Sequence, residues 1–199
     1  FCIKFQLNTM LNLKITSLFM LCLFLLPANA QQKWFNPMNT DYPVIQNQGW
    51  TKEIGNFYAR LPQRVKNEVR EPLWNLSRNS SGLAIHFYSN ANNITIRYKV
   101  EGSYSMPHMP NTGVSGIDLY AIDSDGNLKL ASGSYKWGDT ISFNYKIDAK
   151  DKYHNLGFEY RLYLPTYTSV KWLEIGIPEN ADFEFIPLRE ELPIVAYGT

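Results

Sequence analysis

Cysteine is almost absent from this chain: two occur among 199 residues, Cys2 and Cys22, and both lie ahead of residue 31. From Gln31 onward no disulfide can form, no thiolate can attack a substrate and no cysteine can ligate zinc. An excess of either charge is missing too, with 19 Lys+Arg against 18 Asp+Glu. Phosphate backbones are held by a cationic surplus, so the bulk charge argues against a nucleic-acid partner. Acidic side chains do not occur in the first 30 residues, which sets that stretch apart from the rest. The apolar stretch from Ile15 to Leu26 ends at Pro27 and falls short of the roughly 20 residues that a bilayer-spanning helix needs.

What stands at the start reads as a secretory leader. Lys14 is its positive end, Leu18 to Leu26 its apolar run, and Ala28 and Ala30 flank Asn29 as a small-residue cleavage site. Cleavage after Ala30 is expected, giving a secreted or periplasmic product that begins at Gln31 and has no membrane anchor. Residues 1–9 precede the start at Met10 and read as upstream read-through. The chain from residue 31 is long enough to bury roughly 70% of its unfolded surface without covalent staples.

Aromatics are plentiful, with 5 Trp, 13 Tyr and 11 Phe, and they suit sheet surfaces better than helix bundles. Apolar residues alternate with polar ones at period 2 over 83–88, 94–100, 117–121, 141–147 and 158–164, and less cleanly over 170–177. Turn chemistry separates these windows at 89–93, 123–127, 136–139 and 149–155. Half-buried strands at such spacing, with no 3.6 periodicity between them, predict an all-β fold: an antiparallel β-sandwich or jelly roll over residues 31–190.

The beat then stops. Leu192 and Pro193 lead into Ile194, Val195, Ala196 and Tyr197, an apolar run closing on Gly198 and Thr199. A strand that is apolar on both faces is the mark of a buried parallel sheet, so residues 191–199 read as the opening strand of a further α/β domain.

Several segments resemble, in order, the N-terminal domain found ahead of SGNH/GDSL-type hydrolases. Gly116-Ile117-Asp118-Leu119-Tyr120 is similar to its Gly-x-Asp-Leu-Tyr motif. Around it stand Tyr58-Ala59-Arg60-Leu61-Pro62, Val69-Arg70, Leu73-Trp74-Asn75-Leu76-Ser77-Arg78, His108 to Ser115, and Tyr163-Leu164-Pro165. Ala59 departs from an acidic residue in that pattern, and Asn111 from a small one. The resemblance implies a β-sandwich ahead of a flavodoxin-like SGNH domain that hydrolyses esters, with acyl groups on carbohydrate as the implied substrate. It implies that Gly198-Thr199 open the nucleophile motif and that the attacking serine follows Thr199. It also implies no cofactor, and the downstream catalytic domain as partner.

Within the chain, Ser115, His108 and Asp118 form a triad on paper. Gly113-Val114-Ser115-Gly116-Ile117 fails Gly-x-Ser-x-Gly at its last position, however, and enters a strand with no strand-to-helix elbow. Asp118 is expected to accept hydrogen bonds inside the sandwich or to pair with Arg60 or Arg70. The two-proline loop carrying His108, Met109, Pro110 and Thr112 is a candidate active-site rim or domain interface, against the plainer reading of a rigid crossover. Asp123 to Asn127 lacks the glutamate that closes a calcium loop and is expected to be an Asp-Gly hairpin turn. His86 and His154 lack metal-ligand spacing, so no metal site is expected. Trp34, Trp50, Trp74, Trp137 and Trp172 are either core filler or stacking platforms for carbohydrate; the latter would make this a free-standing carbohydrate-binding module.

Overall fold

The alternating windows become strands because each hides every second side chain against another sheet. The computed structural model describes residues 31–189, save Asn56 and Ala149. Its strands are β1 (Gln32–Phe35), β2 (Ile45–Gln46), β3 (Ala84–Ser89), β4 (Asn93–Glu101), β5 (Asp118–Ile122), β6 (Leu128–Leu130), β7 (Gly133–Lys136), β8 (Ile141–Lys146), β9 (Phe158–Tyr163), β10 (Ser169–Pro178) and β11 (Phe183–Phe185). One sheet runs β1-β10-β4-β8-β7 and the other β11-β3-β9-β5-β6, with β2 sharing an edge of β3 with β11. Every pairing among them is antiparallel. The expected all-β sandwich is the fold found.

The core lies between the two sheets. The first contributes Ile94, Ile96, Tyr98, Ile141, Leu173 and Ile175; the second contributes Ile85, Phe87, Leu119, Tyr160 and Leu162. Each such aliphatic or aromatic side chain stabilises the fold by about 1.5–3 kcal/mol relative to exposure. On β5 the inward residues are Leu119 and Ala121, so Asp118 and Tyr120 face the other way. Asp118 is exposed, which corrects the expectation that it sits inside the sandwich.

Among the described residues three short α-helices accompany the sheets, α1 (Thr51–Ile54), α2 (Glu71–Ser77) and α3 (Asn111–Val114), besides three 3-10 turns. None is long enough for a 3.6 period to register in the sequence, and no helix was expected there. The strands that escaped the alternation, β1, β2, β6, β7 and β11, are two to four residues each. Among the described residues no helix is long and apolar enough to cross a membrane. The leader, residues 1–30, and the apolar run 191–199 lie outside the described residues.

The turn after β5 is the expected hairpin. Gly126 donates to the Asp123 carbonyl at 3.0 Å with φ of 80°, a conformation that glycine adopts without a Cβ penalty. The Asp123 carboxylate accepts from Lys129 Nζ at 2.6 Å and from the Asn127 amide at 2.8 Å. The Lys129 contact, then the Asn127 amide, hold its pKa at about 2. Carbon-detected NMR titration of the Asp123 carboxyl should therefore show a midpoint near 2. A midpoint at the ordinary carboxylate value would mean the turn is not closed this way in solution.

Candidate functional site

Strand register decides which loops meet. Ala84 at the start of β3 pairs with Tyr163 at the end of β9, and Tyr163 pairs with Asp118 at the start of β5. In the other sheet Glu101, closing β4, pairs with Ser169, opening β10. The segments 58–83, 102–117 and 164–168 therefore all sit at one end of the sandwich. These segments carry the sequence fragments singled out above, so residues more than 100 positions apart converge there.

Ser80 stitches this end together. Fully buried, it accepts from the Val170 amide at 3.0 Å and donates to the Tyr58 carbonyl at 2.9 Å, while its own amide donates to the Thr168 carbonyl at 3.0 Å. Arg60 donates to the Leu76 carbonyl and Arg78 to the Leu61 carbonyl, so two guanidiniums bridge the end of α2 and the irregular segment 58–62. Neither Arg60 nor Arg70 meets Asp118. That expectation is corrected: Arg60 is spent on a carbonyl, and Asp118 makes no side-chain hydrogen bond or ion pair among the described residues. Trp74, on α2, is buried with the Arg78 guanidinium 4.1 Å from its ring centroid.

The Gly-x-Asp-Leu-Tyr segment is held from below. Tyr98 and Tyr145 rise from the inner face of the first sheet and donate to the carbonyls of Ser115 (2.7 Å) and Ile117 (3.1 Å). Burial above all, with the Asp118 carboxylate adding to it, pushes both phenol pKa values up, so both remain donors. Gly116 sits between these carbonyls at the end of α3, where a Cβ would lie 2.2 Å from the Thr112 carbonyl oxygen. Tyr167 donates its amide to the Val114 carbonyl at 3.1 Å, tying in the third loop.

Above this platform, Met106 and Met109 exchange two backbone hydrogen bonds of 3.0 and 3.1 Å around Pro107 and His108. Proline at the first corner pre-sets the turn, and His108 is exposed at the second. Pro110 and Thr112 are exposed and Met109 is half-buried, so the rim candidates are displayed on the surface.

No triad is assembled. Ser115 is fully buried, its hydroxyl 3.1 Å from the Tyr104 carbonyl, while His108 and Asp118 are exposed. None of the three side chains hydrogen-bonds another among the described residues. No cluster of three metal-ligating side chains is present among the described residues. Trp74 is on α2 and Trp137 packs among Tyr104, Tyr135 and Phe143, whereas Trp34 and Trp172 share one cation. Trp34 lies against Gly176 with the Arg97 guanidinium 3.7 Å from its ring centroid; Arg97 is 5.4 Å from that of Trp172 and pairs with Glu174 at 2.6 Å.

Ser80, Tyr98 and Tyr145 were not legible as parts of this site. The available signal was general: a tyrosine at an inward strand position must find a partner for its hydroxyl.

Over residues 32–183 the chain matches the GxDLY family, described as the N-terminus of SGNH-hydrolase-type esterases. No curated protein matches it. A solved structure from Bacteroides ovatus, described as a GDSL-like lipase, superposes with a TM-score of 0.65 at 24% identity, a likeness of fold. The alignment covers 77% of this chain and 42% of that one, so this chain spans about two fifths of the length of that structure. The salicylyl-acyltransferase SsfX3, from a tetracycline biosynthetic pathway, aligns with a TM-score of 0.40 at 14% identity, over 79% of this chain and 40% of that one.

Proposed function

The chain belongs to the GxDLY family, the N-terminus of SGNH-type esterases, and from that premise we propose that residues 31–190 are the non-catalytic accessory domain of a secreted SGNH-type serine esterase. The leader is removed after Ala30, and the sandwich stays with the catalytic domain that follows. That domain begins within residues 191–199, and its nucleophilic serine comes directly after Thr199. Its substrates are esters, with acyl groups on carbohydrate as the class.

The observation that carries this reading is the convergence of the motif fragments on one end of the sandwich around a serine that is buried rather than presented. Tyr98, Tyr145, Ser80 and Gly116 build a stiff base, and the Pro107-His108 turn stands on it. A stiff base under an exposed titratable side chain suits the edge of another domain's active site. It does not suit covalent chemistry of its own, which needs a nucleophile in reach of a base.

In the full-length protein, His108→Ala should lower turnover of an aryl acetate about tenfold, equivalent to about 1.4 kcal/mol of transition-state stabilisation. Thermal stability should move by less than about 2 °C, because an exposed turn side chain contributes little to packing. Equal loss of both, or of stability alone, defeats the assignment of His108 to the rim.

A further inference from the structure

The outer faces of the two sheets differ in chemistry. On the first, Gln32 donates to Thr95, Thr95 donates to Asn144, and Arg97 pairs with Glu174, so its polar groups satisfy one another. On the second, register sets Tyr120 between Arg161 and Leu130, and Ile122 between Glu159 and Leu128. Tyr163 meets Tyr120 edge-on with ring centroids 5.8 Å apart. Leu128 and Leu130 are 50% and 59% exposed on the edge strand β6. Outward leucines on edge strand β6, next to outward Ile122 and Tyr120 on its neighbour β5, form an unpartnered apolar patch of the kind that marks an interaction surface.

The path of the chain says what reaches it. After β11, the Ile186 amide donates to the His86 carbonyl at 2.9 Å, and Gln46 Nε2 donates to the Pro187 carbonyl at 3.1 Å. The Arg189 guanidinium then lies 3.8 Å from the Glu159 carboxylate, on the outward face of central strand β9. Glu159 is the cross-strand neighbour of Ile122, so the Arg189 side chain lies over the same outward face as the patch, while the backbone of 186–188 runs along the opposite edge of the sheet, bonded to His86 and Pro43.

We infer that the outer face of the second sheet, centred on Tyr120, Ile122, Leu128 and Leu130, is the seat of the catalytic body that follows this domain in the intact esterase. The inference rests on the functional reading above and names the surface it uses. A body tethered at Arg189 meets this face at the high effective concentration of a short linker, which favours it over a separate partner. Two residues of the motif, Asp118 and Tyr120, then gain a role: they point outward, at the margin and at the centre of this interface.

Cysteine labelling in the full-length protein tests it, since none occurs between Gln31 and Thr199. Leu130→Cys and, separately, Leu128→Cys are compared with Ser134→Cys on exposed strand β7 of the other sheet, each read by peptide mass after maleimide treatment. Both leucine positions are already exposed in this domain, so neither change threatens folding. Labelling at 128 and 130 at least tenfold slower than at 134 is expected. Equal rates, in protein that still hydrolyses an aryl acetate, overturn the docking face alone. Slow labelling that recovers on dilution overturns it in favour of a second copy of the chain. Absence of hydrolysis in the unsubstituted full-length protein overturns the functional reading, and this inference with it.

Discussion

Gly116→Ala is expected to destabilise the domain by about 3 kcal/mol, at the upper end of what overpacking a tight site costs. For a chain of this size that corresponds to a fall in Tm of roughly 6–12 °C. The methyl group would meet the Thr112 carbonyl oxygen at 2.2 Å and the Thr112 carbonyl carbon and Cα at 2.9 Å. Backbone cannot swing aside as a long side chain can. Relief would have to come from moving α3, but the Ser115 and Ile117 carbonyls on either side are pinned by Tyr98 and Tyr145. The comparison is Gly138→Ala, where the nearest atom is the Thr140 carbonyl oxygen at 3.8 Å, an ordinary contact. That change should stay within about 0.5 kcal/mol, as surface changes usually do. Thermal unfolding followed by circular dichroism compares the two. If the two variants melt together, the motif glycine is not there for steric reasons, and the pinned platform loses its physical basis.

Acid should weaken the fold through His86 before the Asp123 turn is touched. His86 is buried on β3, beside Arg161 on β9 and within reach of Arg189, with the Glu159 carboxylate 4.0 Å from its Nδ1. Burial chiefly, and then Arg161, lower its pKa from 6.5 to about 4, against a partial opposing pull from Glu159. The unfolded chain therefore binds a proton at a higher pH than the folded one. The contribution is complete above pH 6.5 and is lost as pH falls from 6.5 towards 4. Discounted for the solvent that still screens the site, it amounts to about 1–2 kcal/mol across that window. Urea midpoints measured at intervals across the window should drop steeply for the natural sequence and less for His86→Asn, which cannot take up the proton. Carboxylates titrate near the lower limit in both proteins, so the difference between the two curves is the quantity to read. Parallel curves would show that the imidazole is neutral for no energetic reason.

Strand periodicity was informative wherever a strand was long and one-sided. Ile94, Ile96 and Tyr98 on β4, and Phe158, Tyr160 and Leu162 on β9, announced their inward faces because both sheets need every second residue dry. The short pieces were silent. β2, β6 and β11 each hold two or three residues, too few to show a period, and they form because a longer neighbour offers them an edge. The helices α1, α2 and α3 escaped for the same reason.

For the candidate site, the motif residues themselves could be read from the order of the chain, but their roles could not. Asp118 was expected to be satisfied inside the sandwich, although its neighbour Leu119 already claimed the inward position; a strand cannot send adjacent side chains to the same face. Ser80, 35 residues before Ser115, carries no pattern at all, yet its hydroxyl and amide tie together Tyr58, Thr168 and the start of β10 at Val170.

The sequence alone determined that the chain is an antiparallel sheet protein from residue 31, without cysteine chemistry, with a motif series pointing to SGNH-type esterases. Those properties reside in composition and in spacing along one chain, and both survive without coordinates. Only the tertiary structure decided that the motif fragments share one end, that Ser115 is buried, and that Tyr120, Leu128 and Leu130 form one outward patch. Each of these depends on cross-strand register and on which carbonyl a buried hydroxyl finds, and both are settled when distant segments pack together.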